Sequence, residues 1–460
     1  MKKLLPWFSI LLLLFACKKE SFTYDSNAFL STSSDSLHFD TVFTSTGSVM
    51  ESVKIINNNN KGIHIRSISL AGGNSSSFHI NVDGIEGPVI NNIDLAANDS
   101  TYIFVTVKIN SNNSGLPFII GDSIKIDYNG NSKWIQLDAY GQNAHFYRNK
   151  LITGNITWDS DLPYVILGSL VVDSGSSLTI NKGCRIYIHA DAPLLINGSL
   201  SILGTDSSRV IVTGDRLDDP YAGFPASYPG IFFSRSSADN TINYAIIKNA
   251  YQAIVSTDLS SSGYKLSLNE TIIDNAYDAG LIGLNTSISA TNLLISNCGK
   301  NIVLVNGGNY AFNHCTAASY SNSFLPHKDP VLIVSDYLYQ NVVSNNNLNA
   351  TFRNCIFWGD NNGFVDNEVT VLKNGTGNFN VIFDHVLWRT KDQPTSSSII
   401  NSLNRDPLFD SINVNEHYYN FRLKDNSPAV NVGIDASIKI DLDGKIRPVG
   451  LPDLGCYEKQ

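Results

Sequence analysis

The chain has 460 residues, of which 43% are hydrophobic, 10% aromatic and only 16% charged, against about 25% charged in an average globular protein. That balance excludes intrinsic disorder, which needs low hydrophobicity and high net charge. The net charge of −9 excludes the basic footprint of a nucleic-acid partner, leaving a large, well-cored chain with an Asn-, Ser- and Thr-rich surface.

Met1-Lys2-Lys3 is a short cationic start, and Phe8 to Phe15 is an almost unbroken apolar run. The run is too short for a ~30 Å hydrocarbon core, which needs about 20 residues, and it suits the apolar region of a secretory signal. In Leu14-Phe15-Ala16-Cys17 a small residue precedes a cysteine that ends the run, which resembles the signal of bacterial lipoproteins. The resemblance implies cleavage after residue 16, lipidation of Cys17 and anchorage to a membrane of the cell envelope through that lipid. Lys18, in place of Asp, resembles outer-membrane members of that class, periplasmic or surface-exposed. Residues 17–35 would then be a polar tether. Cys184, Cys298, Cys315, Cys355 and Cys456 form neither a disulfide framework nor a Cys-x-x-Cys pair, and small buried hydrophobes are the expectation.

Residues 36–147 read as short strands separated by Asn, Gly and Ser clusters. Val53-Lys54-Ile55-Ile56, Phe78-His79-Ile80-Asn81-Val82, Tyr102 to Ile109 and Trp134-Ile135-Gln136-Leu137 carry the alternation of half-buried strands. About seven such strands predict a β-sandwich. The Asn-rich turn Ile55-Ile56-Asn57-Asn58-Asn59-Asn60 and the segment Leu95-Ala96-Ala97-Asn98-Asp99-Ser100 resemble immunoglobulin-like modules of the abnormal-spindle/Hydin type. That resemblance implies a spacer or interaction module without catalysis.

Residues 151–460 follow a repeat. Gly168-Ser169-Leu170-Val171-Val172 returns as Gly198-Ser199-Leu200-Ser201-Ile202, and Ile246-Ile247-Lys248-Asn249 returns as Ile272-Ile273-Asp274-Asn275 and Leu294-Ile295-Ser296-Asn297. Phe312-Asn313-His314-Cys315, Phe352-Arg353-Asn354-Cys355 and Phe383-Asp384-His385-Val386 continue it. Units of roughly 20–30 residues built from short, β-branched runs predict a stacked solenoid. The pattern resembles right-handed parallel β-helices, so the fold class expected is all-β: an immunoglobulin-like sandwich followed by a right-handed parallel β-helix. Asn249, Asn275 and Asn297 should form a ladder at a turn, where Asn tolerates left-handed backbone. Ser427-Pro428-Ala429-Val430-Asn431, Asp441-Leu442-Asp443-Gly444 and Pro452-Asp453-Leu454-Gly455-Cys456-Tyr457-Glu458 resemble the terminal segment of many bacterial β-helix proteins, which implies a C-terminal cap. Taken whole, the chain resembles a bacterial, Bacteroidota-like lipoprotein of this two-domain kind.

Chemistry is faint. Of the motifs of polygalacturonase-type hydrolases only Asp218-Asp219 is present, although paired Asp residues are what hydrolysis across a glycosidic bond requires. The richest cluster is Asp215, Arg216, Asp218, Asp219 and Tyr221, in a long loop that interrupts the coils. Loops on a rigid scaffold are where binding residues concentrate. Its three carboxylates suit Ca²⁺ or a glycan, while the plainer reading is that Arg216 pairs with an Asp and the aromatics cover a strand edge. Asp384-His385 faintly resembles a pectate-lyase pair but falls in a core repeat. Asp441, Asp443 and Asp453 suit either Ca²⁺ or Asx turns, and Trp358 and Trp388 suit either sugar stacking or core packing.

Two functions follow as expectations. The first is a non-catalytic, lipid-anchored envelope protein whose β-helix binds polysaccharide or another surface protein, with no cofactor beyond Ca²⁺. The alternative is a lyase or hydrolase acting on uronate polysaccharide.

Overall fold

A computed structural model describes residues 21–44, 47–111, 117–261, 263–338 and 346–460. The expected signal peptide and Cys17 lie outside the described residues. The protein is all-β, with one 23-stranded parallel sheet consistent with a β-helix. Two compact units meet between Ala144 and His145. The division precedes the expected one because His145–Ile152 already pairs in parallel with Tyr164–Val172.

In the first unit, strand pairing begins earlier than expected. Phe22–Thr23 pairs with Gly62–Leu70, Leu30–Thr32 pairs with Glu51–Asn57, and Leu30 is fully buried. The span 17–35 is therefore not a tether from Phe22 onward: Ala28 and Leu30 enter the core although no alternation betrays them. Gly62–Leu70, Phe118–Tyr128, Asn131–Gln142 and Ser36–Phe43 belong to one sheet, and Glu51–Asn57, Ser100–Val107 and Phe78–Val82 to another. Ile65, Ile124, Ile126 and Ile135 from the first share one apolar core with Ile55, Ile103 and Ile80 from the second. The longest hairpin turns on Asn129-Gly130, both at positive φ, the pair that a two-residue turn between twisted strands favours.

In the second unit each strand pairs with one about three strands later, so identical positions stack. One inward ladder runs Ile186, Val212, Ile247, Ile273, Ile295, Ala317, Phe357 and Trp388. All are buried in a single core. The Ile246, Ile272 and Leu294 repeats align as read. Phe312, Phe352 and Phe383 stack ring on ring, with centroids 5.3 and 5.1 Å apart. The first repeat does not align as read: Leu170 stacks on Leu194, and Leu178 on Leu200. The two words lie on different strands of the coil, Tyr164–Val172 and Ser199–Leu203, so similar words need not be stacked words. The five described cysteines are all buried, and Cys355 sits in register with Val386.

The C-terminal segment packs on Leu403 of the last stacked strand and runs back along the flank of the coils as far as Arg209. Asn354 exchanges hydrogen bonds with the backbone of Ile434 at 2.7 and 3.0 Å, His314 Nδ1 donates to the Asp453 carbonyl at 3.1 Å, and Asn292 donates to the Ile440 carbonyl at 2.9 Å. Leu442, Leu454, Cys456 and Tyr457 cover Leu294, Ala318, Ile356 and Leu387. The reason is local. Strands such as Leu294-Ile295 and Ile356-Phe357-Trp358 are apolar on both faces, as strands covered on both sides must be.

Candidate functional site

The loop singled out by sequence leaves the coils after Val210–Gly214 and returns at Ile231–Phe233. Its polar residues do not converge. Asp215 accepts from His189 Nδ1 at 2.7 Å, and burial pushes its carboxyl above the usual range. Arg216 forms a two-pronged pair with Asp218, both bonds 2.7 Å, which holds the Asp218 carboxyl below its usual range. The same guanidinium lies 4.0 Å above the Tyr221 ring. Asp219 is exposed and turns to neither partner. Three carboxylates aimed at three places are not the convergent set of six to eight oxygens that Ca²⁺ takes. Among the described residues no three His, Cys, Asp or Glu side chains are grouped to hold a metal.

The fainter candidates resolve into structural roles. Asp384 bridges Arg353 at 3.0 Å and His385 at 2.8 Å. Asp441 accepts from the backbone of Asp443, Lys445 and Glu458, and Asp453 from that of Asn431 and Lys459. Both act as turn formers. Trp388 is fully buried, and Trp358 packs against the C-terminal segment. Neither offers a free ring face.

The structure joins two features that the sequence left apart. Asn249, Asn275 and Asn297 all hold left-handed backbone, with φ of 66°, 57° and 50°. Asn275 Nδ2 donates to Asn249 Oδ1 at 2.8 Å, so the ladder forms between these two, whereas Asn297 turns to Asp274 at 3.4 Å. The same amides clamp the loop. Asn249 donates to the Ala222 carbonyl and Asn275 to the Gly223 carbonyl, each at 2.9 Å.

This clamp shapes one wall of a groove of about 390 Å³, at the small end of the ~300–1,000 Å³ usual for ligand clefts. Asp219, Pro220 and Gly223 form the loop wall. Lys248, Asp274 and the asparagines form the floor, and Asn322, Phe324, His417 and Tyr419 stand opposite. Lys248 and Asp274 are stacked neighbours in one outward ladder. Burial raises the Asp274 carboxyl, against hydrogen bonds from Ser296 and Asn297 and the field of Lys248.

Of the predicted site residues, Asp219 lines this groove, Tyr221 joins the rings beside it, and Asp215, Arg216 and Asp218 brace the loop. Sequence reasoning missed Lys248, Asp274, Phe324, His417 and Tyr419. The first two had a signal, as the charged members of a repeat whose partners are Ser296 and Ala318. The last three stand outside the stacked strands of the coils, and no periodicity marks them.

No protein-family model matches the chain, and no curated protein matches it. Solved structures match it in part. A family 123 glycoside hydrolase from Clostridium perfringens is 11% identical over 26% of this chain and 30% of its own, with a TM-score of 0.20. The ASH/PapD-like domain 7 of human CEP192 is 9% identical over 28% of this chain and 92% of its own, with a TM-score of 0.17. A protein of unknown function from Porphyromonas gingivalis W83 is 8% identical over 27% of this chain and 60% of its own, with a TM-score of 0.19. The chain thus spans 30% of the hydrolase it matches, and likeness of this degree assigns neither family nor activity.

Proposed function

We propose that the protein is a lipid-anchored component of the bacterial cell envelope, of the outer-membrane kind, that binds glycan without catalysis. In this reading Cys17 carries the lipid, the first unit is an immunoglobulin-like spacer, and the second is a right-handed β-helix presenting the binding surface. The anchor rests on the cationic start, the apolar run and Ala16-Cys17. The binding role rests on one observation: Lys248, Asp274 and Asn275 line the same groove as the rings of Phe324, His417 and Tyr419. Fixed amides and carboxyls beside aromatic faces suit a ligand that is polar on its edges and apolar on its faces. Within the loop the Arg216 guanidinium is committed to Asp218, so the base that uronate cleavage needs would have to be Lys248, and the absorbance assay below tests that directly.

The test uses the full chain in detergent micelles against immobilised glycans, with absorbance of unsaturated sugar ends followed in solution with and without Ca²⁺. Binding without new absorbance is expected. Growth of that absorbance would make the protein a lyase, and silence on every glycan would turn the search to a protein partner. For the anchor, incorporation of labelled fatty acid should vanish in Cys17→Ser.

A further inference from the structure

The groove has a charge pattern of its own. Its lining carries one ammonium, Lys248, against the exposed carboxylate of Asp219 and the carboxyl of Asp274. A carboxylated sugar reaching for Lys248 would bring its charge into the same lining as the Asp219 carboxylate, while Asp274, whose carboxyl burial raises, offers hydrogen bonds rather than a counter-charge. Like charges held together in a partly desolvated site cost far more than in water. The lining therefore selects against an acidic ligand, although it is rich in hydrogen-bonding groups.

Those groups have capacity to spare. The Lys248 ammonium makes no hydrogen bond or ion pair among the described residues, and its charge acts on Asp274 through space. Asn275 spends its amide N–H groups on Asn249 and Gly223, which leaves its carbonyl oxygen as an acceptor.

Beside this floor runs a file of rings drawn from three distant segments. Tyr221 and Phe224 lie 5.2 Å apart, Phe224 and Phe324 4.9 Å, and Phe324 and His417 5.1 Å with their planes at 21°. His417 is tied to Ser323 at 3.2 Å. The hairpin of Phe409–Asn413 and Tyr418–Leu423 thus supplies a wall through His417 and Tyr419, so the C-terminal segment completes the site as well as covering the flank.

We propose that the groove binds an uncharged glycan. A pyranose sets its hydroxyl edge on Lys248, Asp274 and Asn275 and its C–H face on Phe324 and His417. This assignment rests on the glycan reading above and adds the class of sugar.

Calorimetric titration of the full chain with neutral hexose and N-acetylhexosamine oligosaccharides, and with uronate oligosaccharides, tests it at low and high salt. Neutral sugars should bind with an affinity insensitive to ionic strength, since screening acts on charge pairs. Lys248→Met and Phe324→Ala should each weaken binding about tenfold or more, with the melting temperature of Lys248→Met unchanged. Binding of uronates alone, weakening with salt, would overturn the neutral assignment and leave the glycan reading intact. Neutral binding that survives both substitutions would overturn the site. Failure of every sugar would overturn the glycan reading along with it.

Discussion

One outward ladder of the coils has two different halves. At Ala318 and Trp358 it is apolar and lies under the C-terminal segment. At Lys248 and Asp274 it is polar and partly open, with the buried Ser296 between the two halves. The inward ladder beneath is equally apolar in both halves, so core packing does not distinguish them. What differs is the outward face: the first half lies under a strap, and the second is left partly open. The strap starts from the hairpin that lines the groove, so the cover of one half and a wall of the other are one continuous stretch of chain.

The largest effect should come from the strap's anchor. Arg447 is fully buried, bonded to Glu458 at 2.8 Å, to Asn292 at 2.8 Å and to the Gly455 carbonyl at 3.0 Å. Arg447→Met leaves Glu458 buried without its partner, a loss of about 3–5 kcal/mol. Denaturant unfolding should show that loss, and limited proteolysis should cut the strap first. An unchanged midpoint would mean that the covered half does not need its cover.

Acid should loosen the same contact. Burial, and then Arg447, hold His314 down at about 3, against about 6.5 in an unfolded chain. Its contribution is complete above about 6.5 and is lost as pH falls toward 3. Asp453, raised to about 6 by burial, acts oppositely: the folded state takes up its proton first, so its share rises as pH falls from 6 to the ordinary carboxylate value of 3.8. Net acid loss should therefore be plainest below about 4, at up to about 1.4 kcal/mol per pH unit. In His314→Asn the fall in melting temperature between about pH 4 and 3 should flatten, and an unaltered slope would remove His314 as its cause.

The open half is tested more gently. Asn249→Ala strands the Ala222 carbonyl and part of the ladder, at about 1–3 kcal/mol. Amide exchange should quicken across 215–230 and leave the covered strands protected. Arg216→Ala removes a partly exposed pair, so a loss below about 1 kcal/mol is expected. A larger loss would make that pair structural to the whole loop.

The stacking was largely legible. Ile246, Ile272 and Leu294 could be aligned by eye because each lies on the same strand of its coil ahead of a left-handed Asn, and Phe312, Phe352 and Phe383 because each stands two residues before a left-handed turn residue. Gly168 and Gly198 misled because their words lie on different strands of the coil: Tyr164–Val172 stacks on Leu194–Ile196, and Ser199–Leu203 stacks on Ser177–Asn181. The site was legible only at its edge. Asp219 and Tyr221 belonged to a visible insertion, but their neighbours Arg216, Asp218 and Asp215 looked like ligands and are braces. Composition lists charges, and geometry decides which of them are already paired.

The amino-acid sequence by itself determined the inward ladders and the asparagine turns. Each coil touches mainly the next, and a quasi-one-dimensional stack writes its contacts as a period. Only the tertiary structure decided that the C-terminal segment lies along the flank and that Lys248, Asp274, Phe324 and His417 share one groove. Those contacts join residues far apart in the chain that obey no period. They follow from where an apolar outer face had to be covered and where a polar one did not.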